Sequence, residues 1–256
     1  MAAIGAEMVL PGVLELEEAG LQAWPGVETE YDGGWIRRAA NGFTKRANSV
    51  QCLDPADGTN AVGRVAASRA WLEQRGLPPV FRLTPLASPE LIAALDAGGW
   101  RSIELSHVYA ARLGAVTPDK RAQATDPLDP AFLAAQARLQ PYDGPTTDKF
   151  IALLKAMRVP ARGVVVYAGN GEPAASALFA LAGDIVVAGN VVTDPGQRRQ
   201  GFGQAAMQSG LYWAQHAGAT IAALNVAGDN LAAKALYQRL GFAHQYDYTY
   251  RIVPSP

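Results

Sequence analysis

The stretch Arg198-Arg199-Gln200-Gly201-Phe202-Gly203 holds the residues of this chain whose types and spacing most directly imply chemistry. An apolar run, Ile185 to Val192, ends at Asp194-Pro195 just before it, and a helical pattern follows it. A strand, a turn and a helix start in that order can cradle a pyrophosphate. The first N–H groups of a helix have no internal acceptor, and the macrodipole adds partial positive charge there. Gly201 and Gly203 let the backbone approach phosphate oxygens without a Cβ in the way. Arg198 and Arg199 add charge that can hydrogen-bond the same anion.

A second group follows. The apolar run Ile221 to Leu224 ends at Asn225-Val226-Ala227-Gly228-Asp229-Asn230. Ala233, Leu236, Tyr237 and Leu240 then recur at helical spacing, and Gly241-Phe242 closes the helix. With both groups in view, the sequence resembles the GNAT superfamily of acyl-CoA-dependent N-acetyltransferases. Arg198 to Gly203 fits its R/Q-x-x-G-x-G/A phosphate loop, and Asn230 to Phe242 is similar to its N-x-x-A-x-x-L-Y-x-x-L-G-F helix. The resemblance covers about residues 125–252.

The resemblance implies acetyl-CoA as co-substrate, with Arg198, Arg199, Gln200, Gly201, Phe202, Gly203 and Gln204 around its pyrophosphate. It implies that Val191, Val192 and Thr193 lie on a strand that splays from its neighbour and hydrogen-bonds the pantetheine arm through main-chain atoms. Asn230 and Ala233 would lie beside the same arm. Asn230 is equally the residue expected at a plain helix N-cap. Tyr237 is a candidate general acid for the departing thiolate, since a phenol with a pKa near 10 is protonated at neutral pH. The bland alternative is a core tyrosine with a satisfied hydroxyl. For the general base, Asp143, Glu172, Asp184 and His244 qualify by residue type only. His107, His216 and His244 show no metal-ligand spacing, so no metal is expected.

These residues need elements to position them. In the first half the pattern reads as a helix over 8–23, a strand over 33–38, a hairpin turn at Asn41-Gly42 and a return strand from Phe43 to Val50. A loop from Asp54 to Asn60, a helix over 61–75, a strand from Phe81 to Pro85, a helix from Pro89 to Ala97 and an extended stretch from Trp100 to Leu113 follow. Thr117 to Pro130 reads as a linker. The second half gives helices at Phe132 to Leu139 and Phe150 to Met157 around a turn-rich Pro141 to Pro145. Three antiparallel strands (163–168, 174–182, 185–193) and a helix over 203–217 come next.

The order repeats, and a diverged duplication is the expectation: an α/β fold of two tandem GNAT-like domains, 1–118 and 119–256, each a mixed, mostly antiparallel sheet flanked by helices. Asn41-Gly42 pairs with Asn170-Gly171, Asp54-Pro55 with Asp194-Pro195, Gly63 with Gly203, and Gly99-Trp100 with Gly241-Phe242. That alignment leaves the first copy short by about a strand ahead of its loop. It also places Gly58, Thr59 and Ala61 against Arg198, Arg199 and Gly201, so the first copy is expected to bind no cofactor. Trp35, Arg37, Arg46 and Asn48 are candidates for an acceptor pocket between the copies.

Composition bounds the rest. The chain has 256 residues and a formal net charge of −1, without a basic block, which argues against nucleic acid or an anionic membrane as partner. Cys52 is the only cysteine, so neither an intrachain disulfide nor a cysteine metal cluster can form. Glu7, Glu15, Glu17 and Glu18 interrupt the apolar residues of the N-terminus, unlike a signal peptide, and no apolar run is long enough to span a bilayer. A cytoplasmic N-acetyltransferase acting on a small-molecule amine, monomeric or homodimeric, is the expectation. A non-catalytic CoA-binding protein and a protein N-acetyltransferase are the alternatives.

Overall fold

Eleven strands join into one continuous sheet, and the computed structural model describes residues 9–253 of the chain. In the first half, α1 (Val13–Ala23) precedes β1 (Glu28–Asp32), β2 (Trp35–Ala39) and β3 (Val50–Cys52). Then come α2 (Ala61–Glu73), β4 (Val80–Leu83), α3 (Pro89–Ala97) and β5 (Arg101–Arg112). In the second half, β6 (Ala122–Thr125), α4 (Pro130–Leu139), α5 (Gly144–Ala156), β7 (Ala161–Tyr167), β8 (Pro173–Ala182) and β9 (Ile185–Thr193) lead to α6 (Phe202–His216). β10 (Ile221–Ala227), α7 (Leu231–Arg239) and β11 (Ala243–Ile252) complete it.

The sheet order is β1-β2-β3-β4-β11-β5-β10-β9-β8-β7-β6. The last strand of each half therefore lies inside the other half: β5 between β11 and β10, and β11 between β4 and β5. The division at 118/119 is a division of the chain, and the sheet runs on unbroken past it. Pairing is antiparallel except where a helix crossover intervenes, between β3 and β4 and between β9 and β10. α1, α4 and α5 pack on one face of the sheet, where Leu16, Trp24, Phe132, Phe150, Leu153 and Leu178 form the core. On the other face α6 and α7 cover Phe179, Met207 and Leu224, while α2 and α3 cover Trp35, Phe81 and Leu95.

Several local expectations are corrected. The first hairpin turns at Gly33-Gly34, with Asp32 opposite Trp35, and not at Asn41-Gly42. Of the return strand expected from Phe43 to Val50, only Val50 is in a strand, where β3 begins; Lys45–Ala47 forms a single 3-10 turn, because the Asn48 carboxamide caps this loop and turns it. Among the described residues the first half has three antiparallel strands, β1 to β3, ahead of its loop, against four, β6 to β9, in the second half. The stretch read as a linker contributes the edge strand β6, and Pro141 to Pro145 already contains the start of α5, capped by Asp143. α1 begins only at Val13, after Pro11 and Gly12; Glu7 and Met8 lie outside the described residues. Among the described residues no helix is long and apolar enough to cross a membrane.

Candidate active site

The crossover from β9 to α6 supplies the anion cradle. Asp194 starts it with an Asx turn, its carboxylate accepting from the Gly196 N–H at 2.8 Å. Gly201 is the N-cap of α6 with φ +81°, a left-handed conformation that costs glycine nothing. It offers no side chain as a cap. Among the described residues no acceptor takes the N–H groups of Phe202, Gly203 or Gln204, and Arg198 and Arg199 make no ion pair. Orphan helix N–H groups beside two free guanidinium groups are what a pyrophosphate requires.

The strand beside the cradle is bent for a reason visible in its register. β8 and β9 slip between Ser176 and Leu178, so β9 carries a bulge at Asn190, whose φ is +47°. β9 and β10 pair in parallel from Ile185↔Ile221 to Ala188↔Leu224 and no further. Beyond that point Gly189 to Thr193 and Asn225 to Ala227 diverge, opening a V in the sheet. Gly189 sits at its apex against Trp24 of the α1 C-cap; a Cβ there would meet the indole at 2.5 Å. Asn190 is held by its carboxamide nitrogen donating to Tyr142 Oη at 3.2 Å.

One arm of the V, the cradle and the first turns of α7 enclose a cleft of about 640 Å³. Val191, Val192, Thr193, Arg198, Arg199, Gly201, Phe202, Gly203, Gln204, Asn230, Ala233 and Tyr237 line it; Gln200, expected among them, stands in the same turn outside the lining. That volume suits a large cofactor fragment. Asn230 is the N-cap of α7, its side-chain oxygen accepting from the Ala233 N–H at 3.1 Å, which leaves its NH2 free toward the cleft. Tyr237 is buried. Burial pushes its phenol up to about 12, with the positive charge of Arg46 pulling the other way. The hydroxyl therefore stays protonated at neutral pH.

On the opposite side of the V, the two halves form a second cleft, of about 480 Å³. Phe43, Thr44, Lys45, Arg46, Glu104 and Ser106 of the first half face Asn225, Val226, Ala227, Tyr248 and Tyr250 of the second. Of the four residues expected in an acceptor pocket, the structure brings only Arg46 to it. Its guanidinium stacks on Trp24 at 4.6 Å. Trp35 is fully buried under α2 and α3, and Arg37 is spent on Glu30, Asp32 and Ser68 on that same face. Asn48 is buried and holds the turn that carries Arg46.

Behind Arg46 lies a polar cluster that sequence reasoning missed. The Glu17 carboxylate accepts from Arg82, Gln51 and Tyr246 at 2.6–3.1 Å. Burial alone would raise its pKa, but the Arg82 charge and these hydrogen bonds outweigh burial and hold it below the usual range. Arg38 donates to the Trp24 carbonyl oxygen at 3.0 Å and has no carboxylate partner. The available signal was Arg38 and Arg82 standing inside the buried strands β2 and β4. Separately, pairing of β5 with β11 joins His107, His244 and Asp247, whose Oδ1 is 2.5 Å and 2.6 Å from the two rings. A sequence separation of 140 hid that trio from spacing arguments. The Cys52 thiol is buried and pushed up by that burial, so it is no thiolate nucleophile.

Comparison with known proteins bears on the family and the fold. Residues 12–251 match the family described as "Probable histone acetyltransferase Rv0428c C-terminal". The Mycobacterium tuberculosis protein of that name is 32% identical over 130 residues, which is 50% of this chain and 39% of the relative, so the match spans well under half of the relative's length. A GCN5-related N-acetyltransferase from Kribbella flavida superposes with a TM-score of 0.71 at 19% identity, over 96% of this chain and 97% of its own. A tandem GNAT protein from the clavulanic acid biosynthesis pathway does so with a TM-score of 0.66 at 13% identity, over 94% and 89%. The chain is thus a GNAT-type acetyltransferase fold and belongs to the Rv0428c C-terminal acetyltransferase family.

Proposed function

We propose that this protein transfers an acetyl group from acetyl-CoA to the primary amine of a small molecule, by direct attack within a ternary complex. The observation that carries the reading is a cleft on each arm of the β9/β10 splay, one with the lining that suits a pyrophosphate and one lined by both halves. When bound, acetyl-CoA supplies the activated thioester. The N–H groups of Phe202, Gly203 and Gln204, with Arg198 and Arg199, hold its phosphates, and the main chain of Val191 to Thr193 aligns its arm along the splay. Tyr237 Oη would supply the proton taken by the departing sulfur, and the proton lost by the attacking amine would pass through water to restore the phenol. We read the two halves as a duplication in which only the second kept a cofactor loop.

The relative's name raises a second acceptor class, lysines of a basic protein; the charge of the acceptor cleft weighs against it, as argued below. The test is thiol release with acetyl-CoA and an amine library, alongside calorimetric titration of acetyl-CoA. Binding with turnover supports the transferase. Binding with no thiol release from any amine, small or peptidic, would leave a CoA-binding protein in its place.

A further inference from the structure

The acceptor cleft carries charge that the rest of the chain does not neutralise. Of its charged residues, Lys45 is paired with Glu104 at 2.6 Å. Arg46 makes no ion pair or side-chain hydrogen bond among the described residues, and its ring-stacking on Trp24 leaves the donors of its edge uncommitted. The wall behind it adds to this. Arg46 and Asn225 separate the cleft from a pocket of about 20 Å³, room for one water-sized group, which Arg38, Gln51, Arg82, Glu17 and Tyr246 also line.

In that pocket Glu17 and Arg82 form an ion pair at 2.7 Å, while among the described residues Arg38 makes no ion pair. Arg38 is 3% exposed, and its Nε has no partner; nor have Arg82 Nη1 and Gln51 Oε1. Buried guanidinium donors without an acceptor are costly and rare. They are tolerable where a ligand anion completes them. Two cations without an ion pair among the described residues, Arg38 and Arg46, thus line the same small pocket, and Arg46 also lines the cleft. The field of Arg46 reaches Tyr237.

Resting on the acetyl-transfer reading above, we infer that the acceptor is a small amine that also carries a carboxylate, which Arg46 binds in the cleft with Arg38 and Arg82 behind it. This arrangement leaves the amine at the splay, where the thioester would be presented. It disfavours a lysine-rich peptide, since that would bring further positive charge against the two unpaired guanidinium groups. Asn48 acts here as a positioning residue, through the turn that carries Arg46.

Two measurements on the intact protein test this. The first compares thiol release for matched acceptors: glycine against glycinamide, β-alanine against its amide, and a lysine-rich peptide. The carboxylates should exceed their amides in kcat/KM by about tenfold or more, because a site built around a partner rejects the analogue that lacks it. The second titrates glutarate, a dicarboxylate with no amine, into CoA-loaded wild type and Arg46→Gln. Glutarate should bind wild type and not the variant, whose affinity for CoA serves as the check that it is folded.

Turnover with amides or the basic peptide favoured would overturn the carboxylate and leave the transferase standing. Arg46-dependent glutarate binding without any turnover would keep the anion site and remove the transferase. Absence of both a carboxylate preference and glutarate binding to wild type would end the proposal.

Discussion

The β3-to-α2 and β9-to-α6 crossovers begin alike and end differently. Both open with an Asp-Pro and an Asx turn: Asp54 accepts from the Ala56 N–H at 2.9 Å, as Asp194 accepts from Gly196 at 2.8 Å. Both follow one residue later with a backbone bond to the same aspartate, Asp57 N–H to the Asp54 carbonyl oxygen and Gln197 N–H to the Asp194 carbonyl oxygen. Both helices start from a left-handed N-cap, Asn60 in one and Gly201 in the other. The first loop is one residue shorter between those two landmarks. Its contents are also of opposite sign. Asp57 stands in it, bonded to Arg64 of α2 at 2.8 Å, and the Glu90 carboxylate leans against Gly58. Acidic side chains thus stand in and beside the first loop, where the second loop carries two arginines that make no ion pair among the described residues; among those residues the first N–H groups of both helices are without an acceptor. On the reading proposed above, the loop that carries arginines would take the anion and the loop that carries carboxylates would not.

On the proposed reading the first half is a scaffold and acceptor wall, and the contrast can be broken in order of effect. Glu17 to Leu should be the most damaging change, about 3–5 kcal/mol in chemical denaturation, because it leaves Arg82 buried and unpaired. If the first half is scaffold, stability should fall without a separate loss of acetyl-CoA affinity in the folded fraction. The same pair gives a pH signature. A depressed Glu17 pKa contributes stability that is present above its unfolded value of 4.5 and is lost as pH falls through the folded one. Glu17→Gln should flatten that acid limb of a Tm-against-pH curve.

Next in size is Arg198→Ala/Arg199→Ala, expected to weaken acetyl-CoA binding by about a hundredfold at low salt and to reduce its salt dependence. Tyr237→Phe should lower kcat by about ten- to a hundredfold and leave acetyl-CoA affinity unchanged. In wild type the Tyr237 acid should limit kcat only as pH approaches 12, since the protonated form is the active one below its pKa. Smallest of all, Glu90→Gln, on α3 beside the first loop, should change stability by no more than about 0.5 kcal/mol and acetyl-CoA affinity not at all.

Much of the second half was legible because its signals are local. Gly201, Asn230 and the apolar spacing of α7 each declare a turn, a cap or a helix within a few residues. The first half was harder for a physical reason. Asn41-Gly42 has the composition of a hairpin turn, but Asn48 spends its carboxamide on that loop, and Gly33-Gly34 makes the hairpin. The strand exchange of β5 and β11 has no local signal, since it depends on edges that meet only in the folded sheet. For the same reason the Glu17–Arg82 pair, 65 residues apart, and the acceptor cleft around Arg46 could not be assembled from spacing. Charged residues inside buried strands were the one hint available.

The most direct test of the central claim, a single cofactor site on the second crossover, is calorimetric titration of acetyl-CoA into wild type, Gly201→Asp and Asn60→Asp. The two substitutions place a carboxylate at the same N-cap position of α6 and α2. One acetyl-CoA per chain, abolished by Gly201→Asp and untouched by Asn60→Asp, is the predicted result. Two sites per chain, or binding that survives Gly201→Asp, would contradict it.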